Sequence, residues 1–282
     1  MDTILKHYNS VLDSLFFHHT ISQGHGKRKT NDRLSHSQFE LVYLIDGEVE
    51  YAIEGEEYLA KPGDLLVVAP NAIHVLHSKE GARYERIVLL FDVAFFNRIL
   101  GDAVFESVLK DSRTHRILPK EIVAQTKIEE IMRAITQTEE KQKYIPLHVL
   151  SLVLNLIIEM DKALECTKQT SVAPLHLDAI VKKTVEYVNE NIEKPLHLDE
   201  IASVLYVSKS TLCHKFTRCM GVSVNQYVTL KKIHYAAGLM KSGLSAAEAC
   251  AAVGYEHYTT FYHNYKKVMG EAPSHVKLKN GD

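Results

Sequence analysis

The sequence predicts an α+β protein in two parts. A strand-rich N-terminal region should close into a small barrel with flanking helices, and an all-helical C-terminal domain should carry two tandem helix-turn-helix units. Three observations predict this: short apolar runs separated by turn residues between Phe39 and Phe91, a change to helical periodicity from Val93, and a helix-turn pattern used twice between Leu198 and Gly270. The 282 residues are enough for two domains, and 46% hydrophobic with 24% charged residues is a globular composition rather than a disordered one.

The strands come first. Phe39 to Ile45 leads into an Asp46-Gly47 turn, Glu48 to Ile53 into Glu54-Gly55, and Glu57 to Ala60 into Lys61-Pro62-Gly63. Asp64 to Ala69, Ile73 to His77 and Glu85 to Phe91 follow, with Pro70-Asn71 as a further turn. Many short strands with evenly spaced turns suit a barrel or jelly roll. From Val93 a short helix carries Phe95, Phe96, Ile99 and Leu100. Two longer amphipathic helices are expected over Ile122 to Thr138 and Pro146 to Leu164, the latter presenting Leu147, Leu150, Leu154, Ile157, Ile158 and Leu164. The polar, Pro-ended stretch 165–174 reads as a linker between domains 1–164 and 175–282.

The C-terminal domain opens with a helix over Ala179 to Asn191. The first helix-turn-helix unit is Leu198 to Gly221, with a turn at Val207-Ser208 and a second helix whose Leu212, Phe216 and Met220 recur every four residues. The second unit is Leu244 to Gly270, with a Gly254-Tyr255 turn and the stripe Phe261, Tyr265, Met269. Ser208 suits an N-cap, Ser245 with Glu248 forms a capping box, and Gly221 and Gly270 suit left-handed helix ends. A connecting helix over Tyr227 to Lys241 joins the units.

Each second helix leaves a polar, cation-flanked face off its apolar stripe, as a helix entering a major groove must. Ser210, Cys213, His214, His257, Tyr258, Thr259 and His263 are candidates for base edges, and Lys209, Lys215, Arg218, Lys266 and Lys267 for phosphates. The charge balance agrees. From Leu175 onward there are 13 Lys and Arg against 10 Asp and Glu, whereas the preceding residues hold 20 against 25.

These features resemble the AraC/XylS family of transcriptional regulators. The resemblance is carried by YVNENIEKPLHLDEIA, the Phe216 to Gly221 spacing, Tyr227, Ala236 and Leu239, the VGY, TTF and YKK runs, and Gly270-Glu271-Ala272-Pro273. Lys232 departs from an Arg usual in the family, and Thr259-Thr260-Phe261 from a Ser-Tyr-Phe run. The segment FELVYLIDGEVEYAIEGEEYLAKPGDLLVVAPNAIH is similar to the cupin-like sensor domain of the same family. The resemblance implies a ligand-responsive regulator of double-stranded DNA, a homodimer formed through the helices beside the barrel, and RNA polymerase as partner of an activator.

For an effector, a sugar or another small polar metabolite, the expected binding residues are His36, Glu40, Tyr43, Tyr51 and His74. Tyr43, Tyr51 and Ile53 are expected to point inward, with the two histidines and the carboxylate near the rim. His36, Glu40, Gly47, Gly63, Pro70 and His74 also partly match the metal-binding motifs of enzymatic cupins, but Leu34 stands where a further His is usual. Structural or effector hydrogen bonding is therefore favoured over a metal, and no cofactor is assigned. Two alternatives stay open. One is a metal-dependent cupin enzyme fused to a DNA-binding module, and the other a constitutive regulator whose barrel only dimerises. No nucleophile constellation, phosphate loop or zinc finger argues for catalysis. The N-terminus has no signal-peptide pattern, and no apolar run is long enough to span a membrane. Cys166, Cys213, Cys219 and Cys250 lack metal-type spacing. A cytoplasmic location with reduced thiols is expected.

Overall fold

The computed structural model describes residues 3–9, 15–24, 35–100, 116–138, 144–167 and 176–275. The chain divides into two compact units, residues 1–53 with 57–176, and residues 54–56 with 177–282.

In the first unit the strands are β1 (Thr3–Asn9), β2 (Leu15–Gln23), β3 (Phe39–Asp46), β4 (Val49–Ile53), β5 (Glu56–Ala60), β6 (Leu65–Val68), β7 (His74–His77), β8 (Arg83–Phe91) and β9 (Arg116–Leu118). The sequence reading missed β1, β2 and β9. One sheet has the order β1-β2-β8-β3-β6-β9, and β5-β4-β7 are neighbours in the second. Among the described residues the strands thus form two sheets rather than one closed ring. The helices are α1 (Val93–Leu100), α2 (Lys120–Val123), α3 (Ile128–Gln137) and α4 (Ile145–Thr167). The single helix expected over Ile122 to Thr138 is broken at 124–127, where the Thr126 hydroxyl accepts the Ile128 N–H at 3.2 Å. Helix α4 continues through Thr167, so the expected linker begins inside a helix; the remainder of that linker, and Leu34, lie outside the described residues.

The two-residue period of β3 sorts its side chains between two cores. Phe39, Leu41 and Tyr43 join Leu65, Val67, Ile87, Leu89 and Phe91 beneath α1, α3 and α4. Val42 and Leu44 join Val49, Tyr51, Ile53, Tyr58, Leu66, Tyr84 and Val88 between the two sheets. Burying a large apolar side chain contributes roughly 1.5–3 kcal/mol, so both faces of this central strand hold the unit together. Helix α4 buries Ile145, Val149, Val153, Leu156 and Met160, while Leu147 and Ile158 are 66% and 54% exposed. The turns follow their residues. Gly47 has φ +82°, and a Cβ there would come within 2.5 Å of the Arg83 carbonyl oxygen.

In the second unit the helices are α5 (Ala179–Glu190), α6 (Leu198–Val204), α7 (Lys209–Met220), α8 (Val224–Lys241), α9 (Ala246–Ala252) and α10 (Tyr258–Met269). The connecting helix α8 starts three residues before its expected Tyr227, because Ser223 and Gln226 form a capping box that the apolar pattern did not reveal. Its 18 residues make a rod roughly 27 Å long. Ile233, Ala236, Ala237 and Met240 of α8 pack with Phe261 and Tyr265 of α10, and Phe216 of α7 meets Tyr227 edge to face at 5.2 Å.

Candidate nucleic-acid interface and sensor cluster

The two recognition helices are held by their apolar stripes and closed by glycine. Helix α7 buries Leu212, Phe216, Cys219 and Met220 and ends at Gly221 in the left-handed region; Ser208 caps its start by accepting the Thr211 N–H. Helix α10 buries Phe261 and Tyr265 and ends at Gly270, again left-handed, but its N-cap His257 makes no side-chain capping bond. With those stripes inside, Lys209, Ser210, His214 and Arg218 are exposed on α7 and Cys213 is half-buried. His257, Tyr258, Thr259, His263, Lys266 and Lys267 are exposed at or along α10. Ser210, His214 and Arg218 follow one another at four-residue steps, so they share a face. Thr217, three residues beyond His214, is exposed too and was not singled out from sequence, though the helical period would have found it.

Two of the lysines expected on phosphates already hold carboxylates. Lys215 donates to the buried Asp178 at 3.0 Å, and Asp178 also caps α5 by accepting the Ile180 N–H. Burial raises the Asp178 carboxyl, but Lys215 and the cap N–H outweigh it and hold the group below the ordinary range. Lys215 is thus a pin between α7 and α5, which corrects its assignment as a free phosphate contact. Lys209 pairs with Asp199 at 2.6 Å, but both side chains are at least half exposed. Water screens that pair, which leaves Lys209 able to exchange partners. Lys232 is buried rather than presented to a ligand. Its ammonium donates to the carbonyls of Lys194 and Val253, and burial pulls it down to about 8.

In the first unit His36, Glu40 and His74 converge. Glu40 is the second residue of β3, on the face turned to the second sheet, and His74 opens β7. The Asn71 N–H donates to the His36 carbonyl at 2.8 Å, tying the Pro70-Asn71 turn to the segment before β3 and setting the histidines side by side. One Glu40 oxygen, Oε2, lies 3.0 Å from Nε2 of His36 and 3.0 Å from Nε2 of His74. The rings meet edge to face at 5.2 Å. Burial pushes the Glu40 carboxyl up, but His74 and His36 more than reverse this and hold it well below the ordinary carboxylate range.

Tyr51 stands in the same intersheet core, its hydroxyl pushed up to about 12 by burial. Arg86, absent from the sequence reading, donates to the Tyr51 hydroxyl at 3.3 Å and lies 5.3 Å from the Tyr84 ring; its Nε is buried without a partner. The signal for Arg86 was the alternation Tyr84, Arg86, Val88, which puts an arginine on an inward face. Tyr43 does not join this cluster. Three residues from Glu40 on the same strand, it faces the helices, where its hydroxyl meets Glu129 and Arg133. The expectation of an inward Tyr43 conflicts with the two-residue period that places Glu40 inside.

Two family models match separate stretches of the chain. Residues 201–279 match the family described as helix-turn-helix domain, and residues 20–157 match the AraC-like ligand binding domain. The uncharacterized HTH-type transcriptional regulator YfiF of Bacillus subtilis (strain 168) is 26% identical over 257 residues, covering 84% of this chain and 76% of that one. The arabinose operon regulatory protein of Escherichia coli (strain K12) is 22% identical over 244 residues, covering 84% and 79%. Among solved structures, ToxT from Vibrio cholerae O395 aligns over 92% of this chain and 95% of its own, with 14% identity and a TM-score of 0.38.

Proposed function

The chain belongs to the AraC family of transcriptional regulators, with a DNA-binding domain and a ligand-binding domain, and from that premise we propose how its parts divide the work. Helices α7 and α10 read one DNA site in two successive major grooves, about one helical turn or roughly 34 Å apart, with α8 as the rigid spacer. Ser210, Cys213, His214, His257, Tyr258, Thr259 and His263 meet bases; Lys209, Arg218, Lys266 and Lys267 meet phosphates. The observation that carries this reading is the pair of exposed polar faces, each opposite buried apolar residues, Leu212, Phe216 and Met220 on α7 and Phe261 and Tyr265 on α10.

The effector is a small polar metabolite held by His36, Glu40, Tyr51, His74 and Arg86. These buried donors and acceptors suit hydroxyl or carboxylate groups, and a sugar fits them; the name of the Escherichia coli relative points the same way. The outward Leu147 and Ile158 of α4 support self-association as a homodimer. Among the described residues no helix is long and apolar enough to cross a membrane, and the protein works in the cytoplasm, with RNA polymerase as its partner if it activates. Effector and DNA then bias one another's binding by equal free energies.

Selection from randomised duplex DNA at stated salt, with wild type and a His214→Ala, His263→Ala variant, tests the assignment. Wild type should enrich a site with two elements about one turn apart, and the variant should lose discrimination at two positions, by roughly 1–3 kcal/mol each. No enrichment by the full chain, with or without candidate sugars, would count against it.

A further inference from the structure

The three side chains at the mouth of the intersheet core are arranged for more than hydrogen bonding. His36 Nδ1 lies 3.0 Å from the Gln38 carbonyl oxygen and His74 Nδ1 lies 3.1 Å from the Ala72 carbonyl oxygen. A carbonyl only accepts, so each ring places its N–H there and turns the lone pair of Nε2 inward. Both Nε2 atoms then point at the same carboxylate oxygen, each 3.0 Å away. Three lone-pair donors can thus converge on one point, where a positive centre offsets their mutual repulsion. It is either protons added to the imidazoles or a metal ion.

The distances suit an ion. Donor atoms each about 2.1 Å from a common centre and at right angles to one another are about 3.0 Å apart. The three ligand atoms lie within 4.8 Å of one another, and the side chains are only 11–15% exposed. The backbone carbonyls behind both rings are the outer partners that orient metal-binding imidazoles. We propose that His36 Nε2, His74 Nε2 and a Glu40 oxygen form a binding site for a divalent first-row transition ion. Two imidazoles and a carboxylate select such an ion over calcium or magnesium, which prefer all-oxygen shells. Three protein ligands leave coordination positions for oxygen donors of a small molecule, so the ion would supply part of the effector site. That consequence rests on the sensor reading above, whereas the ion itself does not.

The test uses the full chain stripped by chelator and then titrated with Co(II), whose visible d–d bands report nitrogen and oxygen ligation. The expected result is close to one Co(II) per chain, bound more than about tenfold more weakly by His36→Ala, by His74→Ala and by the near-isosteric Glu40→Gln. Thermal unfolding of each variant confirms that it is folded. Uptake unchanged in a His36→Ala, His74→Ala double variant would place the ion on other histidines and overturn the site. So would no uptake by folded wild type, which would leave the cluster as a proton-bridged pair of imidazoles on a carboxylate. DNA selection is run on the same samples, both stripped and ion-loaded, with and without candidate sugars. A chain that selects DNA but takes no ion overturns the metal site alone, and one that takes the ion but selects no DNA overturns the regulator reading alone.

Discussion

The two helix-turn-helix units solve one backbone problem with opposite residues. Both turns contain a residue in the left-handed region, Tyr206 at φ +54° in the first and Gly254 at φ +66° in the second. Tyr206 is 96% exposed. A Cβ on Gly254 would come within 2.6–2.8 Å of the backbone of Glu193, Lys194 and Pro195. The left-handed conformation costs a non-glycine residue roughly 1–2 kcal/mol, which an open turn tolerates and a turn pressed against another backbone does not. The first unit is secured instead at its helix starts, by the Ser208 cap and the Lys215 to Asp178 pair. The second relies on close approach and on Lys232 beneath it. A shared motif therefore does not imply shared points of failure.

The sharpest way to break this contrast is Gly254→Ala. Strain and backbone collision together should cost about 3 kcal/mol or more, read as early urea unfolding of the helical unit and loss of amide protection in α9 and α10. Next, Lys232→Met keeps the volume but leaves the carbonyls of Lys194 and Val253 without their donor. It should cost about 2 kcal/mol in the same measurement, and a neutral outcome would mean that shape alone holds the second unit.

Asp178→Ala probes the first unit and should cost about 1–2 kcal/mol, from the lost cap and the stranded Lys215. Its pH dependence has a definite sign. The folded carboxyl is held below its ordinary value, so the stabilisation is complete above the unfolded value of about 3.9 and disappears as pH falls through the lower folded value. Wild type and variant should therefore converge in stability in strong acid and differ at neutral pH. The smallest effect is expected for Tyr206→Gly. Relief of the left-handed strain is partly offset by the added freedom of the unfolded glycine, for a net stabilisation below about 1 kcal/mol. Destabilisation would show that the exposed ring has a contact of its own.

Legibility followed the range of the interactions. The recognition helices, their stripes, the Ser208 cap and the Ser245 capping box could be read because each depends on residues three or four apart. The first turn was placed at Val207-Ser208, one residue past the left-handed Tyr206, since nothing about tyrosine announces that conformation. The apolar pattern of α4 was visible, but not that Val149 and Val153 pack while Leu147 and Ile158 stay exposed, because a helix apolar on most sides does not say which stripe packs. The sensor residues divided likewise. His36, Glu40 and His74 were noted for their spacing, but Tyr43 was added against the strand's own alternation and Arg86 was overlooked.

By itself the sequence determined what periodicity, capping and turn chemistry can encode: two units of different class, a duplicated helix-turn-helix, and a polar face on each recognition helix. Only the tertiary structure decided which charges are free and which are occupied. Lys215 on Asp178, Lys232 on two carbonyls, and His74 on Glu40 join residues 21 to 38 positions apart. The physical reason is that a salt bridge or a ligand set depends on ångström distances between side chains, and separation along the chain does not constrain those distances until the cores have packed.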